Sequence, residues 1–126
     1  MTRSQSESQE HHNLIIMMVH YFESQGYKEI KADIPERKRP TVIYGTKKNH
    51  IPDLTARKNG NFVILEVETA STIFDSHTAS QWSLFADAAN NAGGEFHVVV
   101  PKGAKSIAEQ RASNLRINVN TIWTPK

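Results

Sequence analysis

At 126 residues the chain has room for one domain with its own hydrophobic core. It has no cysteine, which excludes disulfides and thiolate metal sites. The net charge of +2 conceals a basic segment, in which Arg37, Lys38, Arg39, Lys47, Lys48, Arg57 and Lys58 face only Glu36 and Asp53, a concentration that suits a phosphate backbone and also suits a solvated loop.

Residues 1–8 are polar and lack the apolar run of a secretory signal, so a disordered tail is expected there, followed by a single domain over 9–126. The longest apolar run, Leu14 to Val19, is too short to span a bilayer, and a cytoplasmic protein is expected. The first element predicted is a helix from about Gln9 to Gln25. Leu14, Met17, Met18, Tyr21 and Phe22 recur at helical spacing, and Gly26 supplies a stop. Tyr27 to Ala32 reads as a short strand. Pro35 and Pro40 bracket a basic loop, and Thr41 to Tyr44 is apolar and β-branched enough for a strand or its continuation.

Next comes the most informative stretch, His50 to Glu68. Asn59-Gly60 between two extended segments is a strong hairpin signal, because both central residues of a type I′ turn need positive φ. Phe62 to Val67 is a strong strand former. Asp75 or Ser76 can cap a helix from about His77 to Ala92, which Gly93-Gly94 ends. Glu95 to Val100 reads as a buried strand stopped by Pro101, Ala104 to Asn114 as a weaker amphipathic helix, and Arg116 to Trp123 as a last strand. The order α-β-β-β-α-β-α-β predicts an α/β fold with a mixed central sheet flanked by helices.

The turn has chemical consequences. A two-residue Asn59-Gly60 loop pairs Lys58 with Asn61 and brings Asp53 opposite Glu66. Alternation puts Phe62, Ile64, Glu66 and Glu68 on one face, and Val63, Leu65 and Val67 on the other. Two carboxylates about 5 Å apart at an effective dielectric of about 20 repel by roughly 3 kcal/mol. Either one takes a proton at raised pKa or a divalent cation sits between them; a solvent-facing hairpin edge with hydrated acids is the plain alternative. Oxygen ligands without thiolate favour Mg²⁺ or Mn²⁺.

Pro52-Asp53, twelve residues, then Glu66-Val67-Glu68 resembles the signature of the PD-(D/E)XK, or restriction-endonuclease-like, nucleases, and in particular their small Holliday-junction-resolvase and exonuclease-like members. The resemblance runs from about Gln9 to Val100 and implies an αβββαβ core, here with a C-terminal α-β extension. It implies a Mg²⁺- or Mn²⁺-dependent endonuclease or exonuclease acting on DNA, with Asp53, Glu66 and Glu68 as metal ligands and catalytic groups. Gln81, four residues before Phe85, is similar to the family's Gln-x-x-x-Tyr motif and would orient the site. Glu10 is the candidate for the acid that members place on their first helix, with His11 and His12 at the same end. The basic residues Arg37, Lys38, Arg39, Lys47, Lys48, Arg57 and Lys58 would hold phosphates. The departure is Glu68, where the family has Lys; it leaves open a degenerate nuclease-fold module that binds nucleic acid or a protein partner without cleaving. A homodimer or a partner subunit is compatible with a chain of this size. The chain carries no P-loop, Rossmann glycine pattern, Gly-x-Ser-x-Gly elbow or His-Glu-x-x-His motif.

Overall fold

The structure is a computed structural model and describes residues 4–126. Three helices and five strands follow in the predicted order: α1 (Gln5–Ser24), β1 (Lys28–Ala32), β2 (Leu54–Lys58), β3 (Asn61–Val67), α2 (Ser76–Asn91), β4 (Glu95–Val99), α3 (Lys105–Leu115) and β5 (Thr121–Trp123). The strands lie in one sheet in sequence order; β1, β2 and β3 pair antiparallel, and β4 and β5 join in parallel. The result is an α/β fold with a five-stranded mixed open sheet.

The sheet is the middle of three layers. Val63, Leu65 and Val67 of β3 are buried against Leu14, Ile15, Met18, Val19 and Phe22 of α1. Ile64, on the other face, packs with Trp82, Phe85 and Ala89 of α2 and Ala108 and Ala112 of α3. The strand is therefore apolar on both sides, as a central strand must be, except where Glu66 interrupts it.

The β2–β3 register matches the expectation: Lys58 faces Asn61 and Leu54 faces Leu65. Asn59 and Gly60 both have positive φ, 51° and 82°, as a type I′ turn requires. The middle of the chain departs from expectation. Of Thr41–Tyr44 only Ile43 finds a backbone partner, His50, in an isolated bridge.

The ends of the chain also differ. α1 starts at Gln5, four residues earlier than expected, so residues 4–8 are not a disordered tail; residues 1–3 lie outside the described residues. Ser4 is the N-cap, and its Oγ accepts a hydrogen bond from the Glu7 N–H at 3.2 Å, the Ser-x-x-Glu start that a purely polar stretch disguised. The last strand is shorter than expected because Arg116 takes a left-handed conformation, φ 57°, to end α3. No helix among the described residues is long and apolar enough to cross a membrane.

Candidate metal centre

β3 carries the site. Val63, Leu65 and Val67 must face α1, so Glu66 and Glu68 are committed to the α2 side at the strand's C-terminal end. Glu66 is 4% exposed and Glu68 2% exposed. Asp53 immediately precedes β2 and is fastened to β3 at two points. Its N–H donates to Glu66 Oε1 at 2.9 Å, and its Oδ2 accepts from the Val67 N–H at 2.8 Å. Ladder pairing thus stops at Leu54, and side-chain carboxylates continue it.

These groups open into a cavity of about 330 Å³ whose walls include Asp33, Asp53, Glu66, Glu68 and Asp75, with His11, His77, Thr72, Thr78 and Gln81. Among the described residues, no lysine or arginine lines it. Burial, then the negative charge of Asp53, then that of Glu68, push the Glu66 carboxyl well above the usual carboxylate range.

Glu68 is held differently. Its Oε2 accepts from Trp82 Nε1 at 3.1 Å, and its Oε1 from Thr72 Oγ1 at 2.6 Å, with Thr78 Oγ1 3.4 Å away. Trp82 of α2 and Thr72 of the loop before it therefore hold this carboxylate in place, while the Thr78 hydroxyl beside it donates to Thr72 O at 2.6 Å. Thr72 also closes a turn with Thr69, whose N–H donates to Thr72 Oγ1 at 3.0 Å.

Two cavity acids come from outside the hairpin or end its loop. Asp33, just after β1, is tied to Asp53 by a backbone bond of 2.9 Å and to Arg39 by an ion pair of 3.2 Å. Asp75 caps α2 through His77 N–H, and that bond holds its carboxyl below the usual range. Arg111 of α3 donates to Ile73 O at 3.2 Å and Asp75 O at 3.5 Å, bracing the loop from behind.

Of the residues singled out in the sequence, Asp53, Glu66, Glu68 and Gln81 share the one cavity. Glu10 is exposed and does not line it; His11 does, with Nε2 3.3 Å from Asp53 Oδ2. His12 turns to Glu36 at 3.7 Å. The basic segment is dispersed. Arg39 approaches the rim through Asp33, while Arg37 pairs with Glu23 at 3.2 Å near the end of α1. Lys38 is exposed on the loop between β1 and the Ile43 bridge.

Lys47 and Lys48 lie on a loop beside α2. Arg57, paired with Glu29 at 3.2 Å, and Lys58, bonded to Gln25 O at 2.6 Å, sit at the turn end of the hairpin, away from the acids. His77 reaches the cavity, and His50 packs against it with ring centroids 5.1 Å apart. His97 is a satisfied core residue, between Glu95 Oε1 at 2.8 Å and Trp123 Nε1 at 2.9 Å.

Among the described residues, no three His, Asp or Glu groups stand close enough to enclose an ion unaided. The donor set that the geometry offers is the contacting pair Asp53 and Glu66. An octahedral, reluctantly dehydrated ion such as Mg²⁺ commonly takes one or two carboxylates and completes its shell with water and phosphate oxygens. The pair fits that mode. Compared with protein-family models, curated proteins and solved structures, the chain matches none.

Proposed function

We propose that this chain is a metal-dependent deoxyribonuclease of the PD-(D/E)XK type, hydrolysing DNA phosphodiesters at the cavity around Asp53 and Glu66. The observation that carries this reading is the contact between Asp53 and a buried Glu66 in a cavity lined by further acids. Burial and the neighbouring acids raise the Glu66 pKa, and a divalent ion between Asp53 and Glu66 would offset that cost. The element order from α1 to β4, with the acids at the head of β2 and the end of β3, is that of an αβββαβ core.

Asp53 and Glu66 would hold Mg²⁺ or Mn²⁺. The bound ion supplies Lewis-acid stabilisation of the phosphate and an acidified water. Asp53 is kept in position by the Val67 N–H, so its carboxylate is oriented before any ligand arrives. Glu68, fixed by Trp82 and Thr72, contributes a stationary negative charge beside the pair. His11 and His77 place imidazoles on the cavity wall, where a proton from the attacking water can be received. Gln81, also on the wall, presents an amide that can orient the phosphate.

Supercoiled-plasmid nicking in Mg²⁺ or Mn²⁺ tests the proposal, with Asp53→Ala as comparison. Nicking by the wild type and not by the variant is the expected result; equal nicking by both excludes this site. A second reading, a DNA-binding module that does not cleave, draws on the engagement of both Glu68 oxygens where the family has lysine. Under that reading the wild type retains DNA in a salt-sensitive way, shows no Mn²⁺ binding by calorimetry, and does not nick.

A further inference from the structure

One surface feature is not used by the acid cavity. Tyr44 is 75% exposed, the most exposed large hydrophobic residue among those described. It stands at the start of a loop, residues 44–49, that also carries Lys47 and Lys48 and contains no acid. The loop is built rather than loose. Its base is the Ile43–His50 bridge, closed by two backbone bonds of 2.8 and 3.0 Å, and the Asn49 side chain accepts from Gly45 N–H at 3.1 Å. Gly45 is packed so closely that an added Cβ would meet Lys48 O at 2.4 Å. Nothing in the core accounts for an aromatic ring held out on such a loop.

The loop is continuous with the cavity. It lies against Ser80 and Leu84 of α2, and the same helix lines the cavity with His77 and Gln81. Residues 77, 80, 81 and 84 are spaced by three and four, so they form one stripe. At the loop's other root, His50 packs on His77, and its neighbour Ile51 is a wall of the cavity. A chain leaving the acids along α2 meets Lys47 and Lys48, on the loop that begins with Tyr44. Asp87 is the acid at the far end of this groove and limits it there.

We propose that the 44–49 loop is a stacking platform for an unpaired DNA strand, with a base on the Tyr44 ring and phosphates on Lys47 and Lys48. Aromatic faces beside lysines recognise single strands because every base offers a π-face and every nucleotide a charge. A paired base has no free face for Tyr44. This deepens the nuclease reading and rests on it for the choice of DNA: the substrate class becomes a strand end, flap or other structure with unpaired nucleotides next to the scissile bond.

The test is fluorescence anisotropy of labelled dT20 with the full chain in EDTA, so that binding is read without cleavage. Wild type is expected to bind dT20 more tightly than a 20-base-pair duplex. Tyr44→Ala should weaken dT20 binding about tenfold, while Tyr44→Phe keeps it. Lys47→Ala with Lys48→Ala should lower the slope of log K against log salt by about 1. Because Tyr44 is exposed, these changes leave the core untouched, and circular dichroism checks that. Unchanged dT20 affinity in Tyr44→Ala, tighter binding of duplex, tighter binding of rU20, or no binding of dT20 overturns the platform. If dT20 binds as expected while the wild type, in Mg²⁺ or Mn²⁺, cuts neither plasmid nor a labelled duplex with an unpaired flap, the nuclease reading falls and the platform stands; cleavage with Tyr44→Ala binding unchanged removes the platform alone.

Discussion

Asp53 and Glu66 are locked together by crossed bonds: the Asp53 backbone N–H donates to the Glu66 side chain, and the Asp53 side chain accepts from the backbone of the residue after Glu66. Each acid is thereby positioned by the other's strand. The arrangement brings the two carboxyl groups together, and with burial the charge of Asp53 helps to raise the pKa of Glu66.

Asp53→Asn keeps an amide oxygen to accept from Val67 N–H and removes one negative charge. Nicking should fall at least about 100-fold, since losing several kcal/mol of metal-borne stabilisation corresponds to such a factor. Thermal stability in EDTA should stay level or rise. A variant that nicks normally would show that Asp53 is not a ligand.

Burial raises the Glu66 pKa above its ordinary value of 4.5. The folded state then binds this proton more tightly than the unfolded chain, so the contribution to stability is full below about pH 4.5 and is lost as pH rises through the folded value. In EDTA the melting temperature of wild type, minus that of Glu66→Gln, should decline with pH above 4.5. Mg²⁺ should reduce the decline by standing in for the proton. His97, whose pKa is lowered chiefly by burial, works in the opposite sense, losing stability as pH falls below its ordinary 6.5; it is common to both proteins and cancels in the difference.

Trp82→Phe deletes the donor to Glu68 Oε2 and leaves a buried carboxylate one partner short. Denaturant unfolding should show a loss of about 2 kcal/mol. Trp82→Phe in a Glu68→Gln background should cost less, because the acceptor is no longer charged; an equal cost in both backgrounds would assign the effect to packing.

Gly60 and Gly94 separate two kinds of glycine requirement. A Cβ on Gly60 meets nothing within 4 Å, so Gly60→Ala should cost only the positive-φ penalty, about 1 kcal/mol. A Cβ on Gly94 would lie 2.0 Å from Phe62 O, so Gly94→Ala should cost about 3 kcal/mol or prevent folding. Chemical denaturation of the two variants ranks them directly.

Much of this was legible in the sequence because it was local. Asn59-Gly60 fixes a register by its own backbone needs, and the register alone brings Asp53 to Glu66. What was not legible depends on how distant segments dock. The family resemblance nominated Glu10 on the first helix, but α1 settles on Ile15, Met18 and Phe22, which brings His11 to the cavity and leaves Glu10 outside. Tyr21 instead packs on Trp123 with ring centroids 4.8 Å apart. The basic segment is contiguous along the chain yet dispersed in space, because the chain passes from a loop to the far end of a hairpin within it. Thr41–Tyr44 has strand-like residues but no neighbour beyond His50 to complete a ladder.

The two-residue turn at Asn59-Gly60 also bears on how the protein forms. Zipping β2 onto β3 and gathering the acids are a single event, so the search for the native state climbs against its own electrostatic repulsion. Refolding, more than unfolding, should therefore quicken in mild acid, and the kinetic barrier carries the electrostatic cost of bringing these carboxyl groups together.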